Sequence, residues 1–325
     1  MPSEFNLIQQ YFTRPSPQAD LGVGDDAALV RVSEGNQLVI STDMSVAGTH
    51  FLHDCAPYNI GWKALAVNVS DMAAMGAQPK WATLAISLPE VNQDWLAEFS
   101  RGFFACANSF NIDLIGGDTT RGPLNISVTI LGEAPAGKAL KRSGAQVGND
   151  IWVSGQLGSA ALGLAHLQGK VQLTNKLVNE LDTCLKALNT PSPRIALGLA
   201  LRGVASSCID VSDGLLADLG HILQASNLGA AIDLEKIPCI ELLKNNLDHP
   251  QFQELLIVGG DDYELCFTAP QTKREEINAL RKQLNLQISL IGNTRIAHIS
   301  NTSGLQVYYK NNQITLLKQG FDHFD

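Results

Sequence analysis

Leu21-Gly22-Val23-Gly24-Asp25-Asp26-Ala27-Ala28 is the stretch around which the rest of the chain is organised. Two glycines permit a tight backbone turn, and two adjacent aspartates then enter an apolar segment. Neighbouring carboxylates about 4 Å apart repel by roughly 4 kcal/mol in an intermediate dielectric, so one stays in water or both serve a cation. An isolated Gly-Asp-Asp reads as a solvated turn with an Asp cap. Here related aspartates recur in Ser41-Thr42-Asp43, Asn68-Val69-Ser70-Asp71, Gly116-Gly117-Asp118-Thr119-Thr120, Asp210-Val211-Ser212-Asp213-Gly214 and Gly259-Gly260-Asp261-Asp262. Recurrence beside Gly, Ser and Thr points to one polynuclear metal site.

Outward from that loop, residues 4–13 carry helical apolar spacing and end before Pro15 and Pro17. Strands are expected near Ala27–Val32 and Gln37–Thr42, the second delivering Asp43 at its end. An alanine-rich helix is expected over 58–76, with Ala64, Asn68 and Asp71 on one face. That places Asp71 at the border of a buried face, which is costly for an unpaired carboxylate. A strand over Trp81–Leu88, a helix over Gln93–Asn108 and strands at Asp113–Ile115 and Asn125–Gly132 follow. The half reads as β-α-β-β-α-β, an α+β domain with helices on one face of a small sheet.

Residues 134–150 hold the linker candidate, so the division expected is 1–137 and 138–325. The second half opens with a strand at Asp150–Ser154 and helices over Ser159–Gln168, Leu173–Leu188 and Ile195–Arg202. Strand Ser207–Ile209 then runs into Asp210, and Leu215, Leu219 and Ile222 mark a helix that Asp213 is placed to cap. A helix over Lys273–Leu284 and a hairpin near Asn311-Asn312 complete an α/β domain with a mixed sheet.

A chain of 325 residues, 45% hydrophobic and 17% charged, is sized for two folded domains. Its net charge of −9 argues against nucleic acid or an anionic membrane as partner. Phosphorylated small molecules remain compatible, because bound divalent ions reverse the local sign at a carboxylate cluster. The six cysteines are scattered without a C-x-x-C pair and read as reduced thiols. No signal peptide and no membrane span are expected, and the location expected is cytoplasmic.

Asp26, Asp43, Asp71, Asp118, Asp210 and Asp213 have the number and type to hold about three magnesium ions, with Ser41 and Thr42 completing the shells. Cys and His are absent from these clusters, which disfavours zinc. Oxygen-only metal sites with glycine turns equip a chain for phosphoryl transfer. The P-loop, protein-kinase and dinucleotide signatures are all absent, so an ATP site would be of another type. On spacing alone, Lys141-Arg142 reads as a solvated linker pair or as that site's cationic element. His50 reads as structural or catalytic, and the terminal Gly320-Phe321-Asp322-His323-Phe324 as a tail that docks or frays.

Taken together and in order, these motifs resemble the thiamine-monophosphate kinase family. Carrying the resemblance are Gly-Asp-Asp-Ala-Ala, Ser-Thr-Asp-Met with Gly-Thr-His-Phe, Asn-Val-Ser-Asp-Met-Ala-Ala-Met-Gly-Ala, Gly-Gly-Asp-Thr-Thr-Arg-Gly, Asp-Val-Ser-Asp-Gly-Leu, Gly-Gly-Asp-Asp-Tyr-Glu-Leu and the terminal Gly-Phe-Asp-His-Phe. The resemblance implies an N-terminal domain whose sheet pairs across a homodimer, a C-terminal α/β domain, and ATP in the cleft. The implied reaction moves the ATP γ-phosphoryl group onto thiamine monophosphate, giving thiamine diphosphate. Asp26, Ser41, Thr42, Asp43, Asp71, Asp118, Asp210 and Asp213 match metal ligands, and Gly117, Asp118, Arg142 and Ser212 match ATP contacts. His50, Asp261 and Phe321 match contacts to the thiamine end. Asp261 stands where relatives often carry Glu, and Phe321 where Tyr or Trp is common. The acceptor phosphate is already ionised, so no general base is expected.

Overall fold

A computed structural model of the chain describes residues 3–171, 178–297, 304–315 and 320. It divides into two compact units, one of Met1–Met72 with Ala77–Gly137 and one of Ala73–Gly76 with Lys138–Asp325.

The first unit opens with α1 (Glu4–Leu7), capped by the Ser3 hydroxyl and continued by a π-helical turn over Ile8–Phe12. Then come β1 (Asn36–Val46), α2 (Pro57–Ala74), β2 (Gln78–Leu88), α3 (Gln93–Phe110), β3 (Asp113–Arg121) and β4 (Asn125–Pro135). The order is therefore β-α-β-α-β-β and not the expected β-α-β-β-α-β, because α3 follows β2 directly and β3 and β4 come last. A parallel β2–β3 pair needs a crossover, and α3 supplies it. β4 then inserts between β1 and β2, giving the sheet order β1-β4-β2-β3.

No strand forms over Ala27–Val32. Leu29 instead exchanges both backbone hydrogen bonds with Leu21, at 2.9 and 3.1 Å, and this bridge closes the Gly-Asp-Asp loop on itself. Those amides are consumed locally and leave nothing to extend a ladder.

Leu65, Val69 and Met72 of α2 are fully buried, as are Phe99 and Phe103 of α3 and Ile130 of the sheet. The two helices touch backbone to backbone at Gly61 and Gly102, where an added Cβ would lie 2.1 Å from the Phe99 carbonyl and 1.9 Å from that of Tyr58. β1 alternates in burial, with Leu38, Ile40 and Met44 exposed and Ser41 and Asp43 on the other side.

The second unit contains β5 (Asp150–Ser154), α4 (Ser159–Leu167), α5 (Val178–Asn189), α6 (Ile195–Ala200), β6 (Ser207–Asp210), α7 (Leu215–Ser226) and β7 (Leu228–Asp233). α8 (Glu241–Asn245), α9 (Pro250–Ile257), β8 (Leu265–Ala269), α10 (Arg274–Gln283), β9 (Ile288–Ile296), β10 (Leu305–Tyr309) and β11 (Asn312–Ile314) complete it. The sheet order is β11-β10-β7-β9-β5-β8-β6, and β10–β7 is its parallel pair, so the expected mixed sheet is present. β5 and β8 are buried at every residue, the signature of strands covered on both faces. The terminal hairpin turns at Lys310 and Asn311, both left-handed. Among the described residues no helix is long and apolar enough to cross a membrane.

Candidate active site

In the first unit the inner row of β1 faces α2. Ser41 Oγ donates to Asp71 Oδ2 at 2.5 Å, and the Asp43 amide donates to Asn68 Oδ1 at 3.2 Å. Asn68, fully buried, is anchored by donating to the Ala64 carbonyl one helical turn back, at 3.1 Å. Strand and helix thus bring Ser41, Asp43 and Asp71 together through an amide that holds the Asp43 backbone. Thr42 points to the other face, where its hydroxyl meets that of Thr129 at 2.8 Å. The amide of Asp26 donates to Asp25 Oδ1 at 2.9 Å, and both aspartates are exposed in their closed loop.

Across the sheet, Asp43 pairs with Val128, Val128 with Leu84 and Leu84 with Gly117. At the usual ~4.8 Å strand spacing, Gly117 lies about 14 Å from Asp43. A Cβ at Gly117 would stand 1.8 Å from the Leu84 carbonyl, and its φ is 153°. Only glycine satisfies that approach. The register sets exposed Asp118 opposite Ala85, in the row of Met44 and Ser127 rather than that of Asp43.

His50 follows the end of β1, and its Nδ1 accepts from the Val46 amide at 3.0 Å. That bond leaves Nε2 as the protonated nitrogen of the neutral ring, a donor.

In the second unit two motif loops extend the β6–β8 ladder beyond its last pair, Asp210 with Leu265. The Val211 amide donates to the Glu264 carbonyl, that of Tyr263 to the Val211 carbonyl, and that of Asp261 to the Ser212 carbonyl, each at 2.8 Å. Gly260 lets them close up, since a Cβ there would lie 2.1 Å from the Ser212 carbonyl. Asp210, Ser212 and Asp213 therefore share one rigid platform with Asp261.

Asp261 and Tyr263 are both left-handed, with φ of 68° and 50°. Such residues cost on the order of 1–3 kcal/mol each and persist where the surroundings over-determine them. Here they do. The Gly158 amide donates to both oxygens of Asp262, at 3.0 and 2.9 Å, so Asp262 caps α4 from a distance. Burial pushes the Asp262 carboxyl well above the usual range. Glu264 accepts from Ser154 Oγ at 2.6 Å and Arg194 Nε at 2.7 Å and pairs with Arg194 Nη2 as well.

Asp213 does not cap α7. Gly214 occupies that position without a side-chain bond, and Asp218 Oδ2 accepts from the amides of Ser212 and Asp213 at 3.0 and 3.1 Å. Burial, with Asp210 and Asp213 nearby, pushes the Asp218 carboxyl up to about 8. Asp218 shares the stripe of Leu215, Leu219 and Ile222, and a carboxylate on a buried stripe was the available signal for it. Asp262 and Glu264 were visible only as members of a motif, with no hint of their partners.

Arg142 is exposed, next to Lys141, whose carbonyl accepts from the Cys208 amide of β6 at 2.9 Å. Phe321 lies outside the described residues. Gly320 is within them, and a Cβ there would sit 2.5 Å from Ala217 Cβ and 3.1 Å from the Asp213 carbonyl, beside the same platform.

Among the described residues no three His, Cys, Asp or Glu side chains converge into a ready cation cage. Hydroxyl and carboxylate oxygens at Ser41, Asp43 and Asp71 are a hard donor set, without nitrogen or sulfur, that suits magnesium. Magnesium takes few protein carboxylates and fills its shell from water and substrate phosphate.

Residues 24–134 match the AIR synthase related protein N-terminal domain, and residues 146–296 the corresponding C-terminal domain. Thiamine-monophosphate kinase of Salmonella typhimurium is 44% identical over 324 residues, covering 99% of this chain and 98% of its own. The crystal structure of thiamine-monophosphate kinase from Stenotrophomonas maltophilia superposes with a TM-score of 0.82 at 45% identity, over 90% of this chain and 91% of that one. AaThiL complexed with AMPPCP and TMP gives 0.75 at 29% identity, over 93% and 92%.

Proposed function

The chain belongs to the thiamine-monophosphate kinase family, and we propose that it catalyses that family's reaction, transfer of the ATP γ-phosphoryl group to thiamine monophosphate in the last step of thiamine diphosphate formation. Similarity at 44% identity along 99% of the chain carries this reading. A phosphate oxygen of thiamine monophosphate bonds to the γ-phosphorus while the bond from that phosphorus to the β,γ-bridging oxygen breaks. The products are thiamine diphosphate and ADP. The attacking oxygen is already ionised near neutral pH, so positioning and charge neutralisation do the work, and no general base is assigned.

Asp26, Ser41, Asp43, Asp71, Asp118, Asp210 and Asp213 are the residues that would hold magnesium, and Thr42, whose hydroxyl turns to the other face onto Thr129, would join them only through its backbone. The hydrogen bond from Ser41 to Asp71 and the oxygen-only donor set support the central part of this assignment. Magnesium, when bound, neutralises the charge on the phosphates. Gly117, Asp118, Arg142 and Ser212 are assigned to ATP, with Gly117 on edge strand β3 and Arg142 exposed for phosphate. His50, Asp261 and Phe321 are assigned to the thiamine end. There the Nε2–H of His50 donates to the acceptor phosphate, and Asp261 faces the cationic, amine-bearing head group.

Residues 1–137 are assigned metal binding, ATP binding and dimerisation, and 138–325 the α/β platform. A homodimer through the first sheet is supported by the exposed apolar row Leu38, Ile40 and Met44 on edge strand β1. A cytoplasmic location is supported by cysteines that are scattered along the chain without a C-x-x-C pair. Measuring ATP consumption with and without thiamine monophosphate tests the reaction: consumption should depend on that acceptor, and acceptor-independent consumption would count against it.

A further inference from the structure

We propose that Tyr263 is a positioning residue for Asp261 and thereby sets affinity for the cationic, amine-bearing head of the acceptor; the inference rests on the assignment of Asp261 to the thiamine end. The Tyr263 hydroxyl donates to Asp261 Oδ1 at 3.0 Å, two residues away in the chain. Residues two apart in an extended strand also share a face, but these two belong to a loop in which both are left-handed. That backbone is uncommon for any residue other than glycine, and more so for a bulky aromatic one.

The conformation of Tyr263 is fixed from several sides. Its amide is held by the Val211 carbonyl, its neighbour Asp262 by the Gly158 amide, and its neighbour Glu264 by Ser154 and Arg194. Tyr263 is only 8% exposed. A hydroxyl carried on so constrained a ring is a fixed point, and a hydrogen bond from it selects one orientation of the Asp261 carboxylate. The terminal torsion of an aspartate is intrinsically broad, and this bond narrows it. A carboxylate held in one orientation before the acceptor arrives loses less freedom on binding, which is how preorganisation raises affinity.

Ring packing alone would give Tyr263 a purely structural role, and Tyr263→Phe separates the two because it keeps the ring and removes only the hydroxyl. The experiment compares Asp261→Asn, Tyr263→Phe and the double variant in the full-length enzyme. Thiamine monophosphate and ATP are varied in turn, and thermal unfolding is followed on each protein. Expected are a five- to twenty-fold rise in KM for thiamine monophosphate in Tyr263→Phe, a KM for ATP within twofold of wild type, and an unfolding temperature close to wild type. The double variant should be no worse than Asp261→Asn, since residues acting as one unit are not additive. If Asp261→Asn leaves that KM unchanged, the assignment of Asp261 fails and the inference with it. If Asp261→Asn raises KM while Tyr263→Phe does not, or if the two effects multiply in the double variant, the inference alone is overturned. A rise in both KM values together with a lowered unfolding temperature in Tyr263→Phe also overturns it, in favour of a structural role.

Discussion

Asp71 has its carboxylate held by the Ser41 hydroxyl while Asn68, one turn away on the same helix, holds the Asp43 backbone. Asp71→Asn keeps the shape and one acceptor oxygen but removes a charge from the row, so turnover should fall at least about 100-fold, the scale of losing one preorganised electrostatic group. Its unfolding temperature should stay near wild type, and steady-state kinetics over a magnesium titration measure the effect. A second carboxylate does structural work. Glu133 accepts from the Ser33 amide, from Asn36 and from Lys80, each at 2.9 Å. Burial opposes ionisation there, but the hydrogen bonds win and hold the carboxyl at about 2, against an ordinary value of 4.5. A depressed pKa stabilises the fold in full above about pH 4.5 and loses that contribution as pH falls toward about 2. Glu133→Ala should therefore cost roughly 3 kcal/mol at neutral pH, and its deficit against wild type should shrink on acidification in chemical-denaturation curves. Sequence periodicity placed Asp71 beside a buried face, but partners 70 or 100 positions apart, such as Arg194 with Glu264 or Ser33 with Glu133, leave no mark in local pattern.

At the scale of elements, most strands and helices with strong periodicity emerged where expected; the start of the helix expected over 173–188 lies outside the described residues, and the departures at 27–32 and at α7 lie where hydrogen bonding is settled locally. The apolar run 27–32 reads as a strand by composition but spends its amides on the Leu21–Leu29 bridge. α7 looked capped by Asp213 because that residue type precedes the helix; the buried Asp218 inside the helix takes the loop amides instead. The 210–214 and 259–264 loops were legible as motifs but not as one extension of the β6–β8 ladder, which depends on pairing across roughly 50 intervening residues. Gly260 is the residue that permits this pairing. Gly260→Ala forces a methyl group to within 2.1 Å of the Ser212 carbonyl and should destabilise the unit by about 1–3 kcal/mol, with activity falling further than stability does. Thermal unfolding set beside kinetics separates the two losses.

For the whole molecule, composition and size indicated two folded units, and contact density divides the chain that way. Association could not be read from pattern, because an exposed apolar strand face looks in sequence like any half-buried strand. Ile40, 58% exposed on edge strand β1, is the centre of that face, and for the proposed homodimer Ile40→Asp should raise the dissociation constant at least about tenfold while leaving each protomer folded. Sedimentation velocity across a concentration series measures it. The reaction proposed for the chain moves one phosphoryl group between two phosphorylated substrates. Its most direct test supplies ATP labelled at the γ-phosphorus together with thiamine monophosphate and magnesium, and follows where the label goes. One labelled thiamine diphosphate and one ADP are expected for each ATP consumed, with no turnover when the acceptor is omitted. Label released as inorganic phosphate at a rate indifferent to thiamine monophosphate would contradict it.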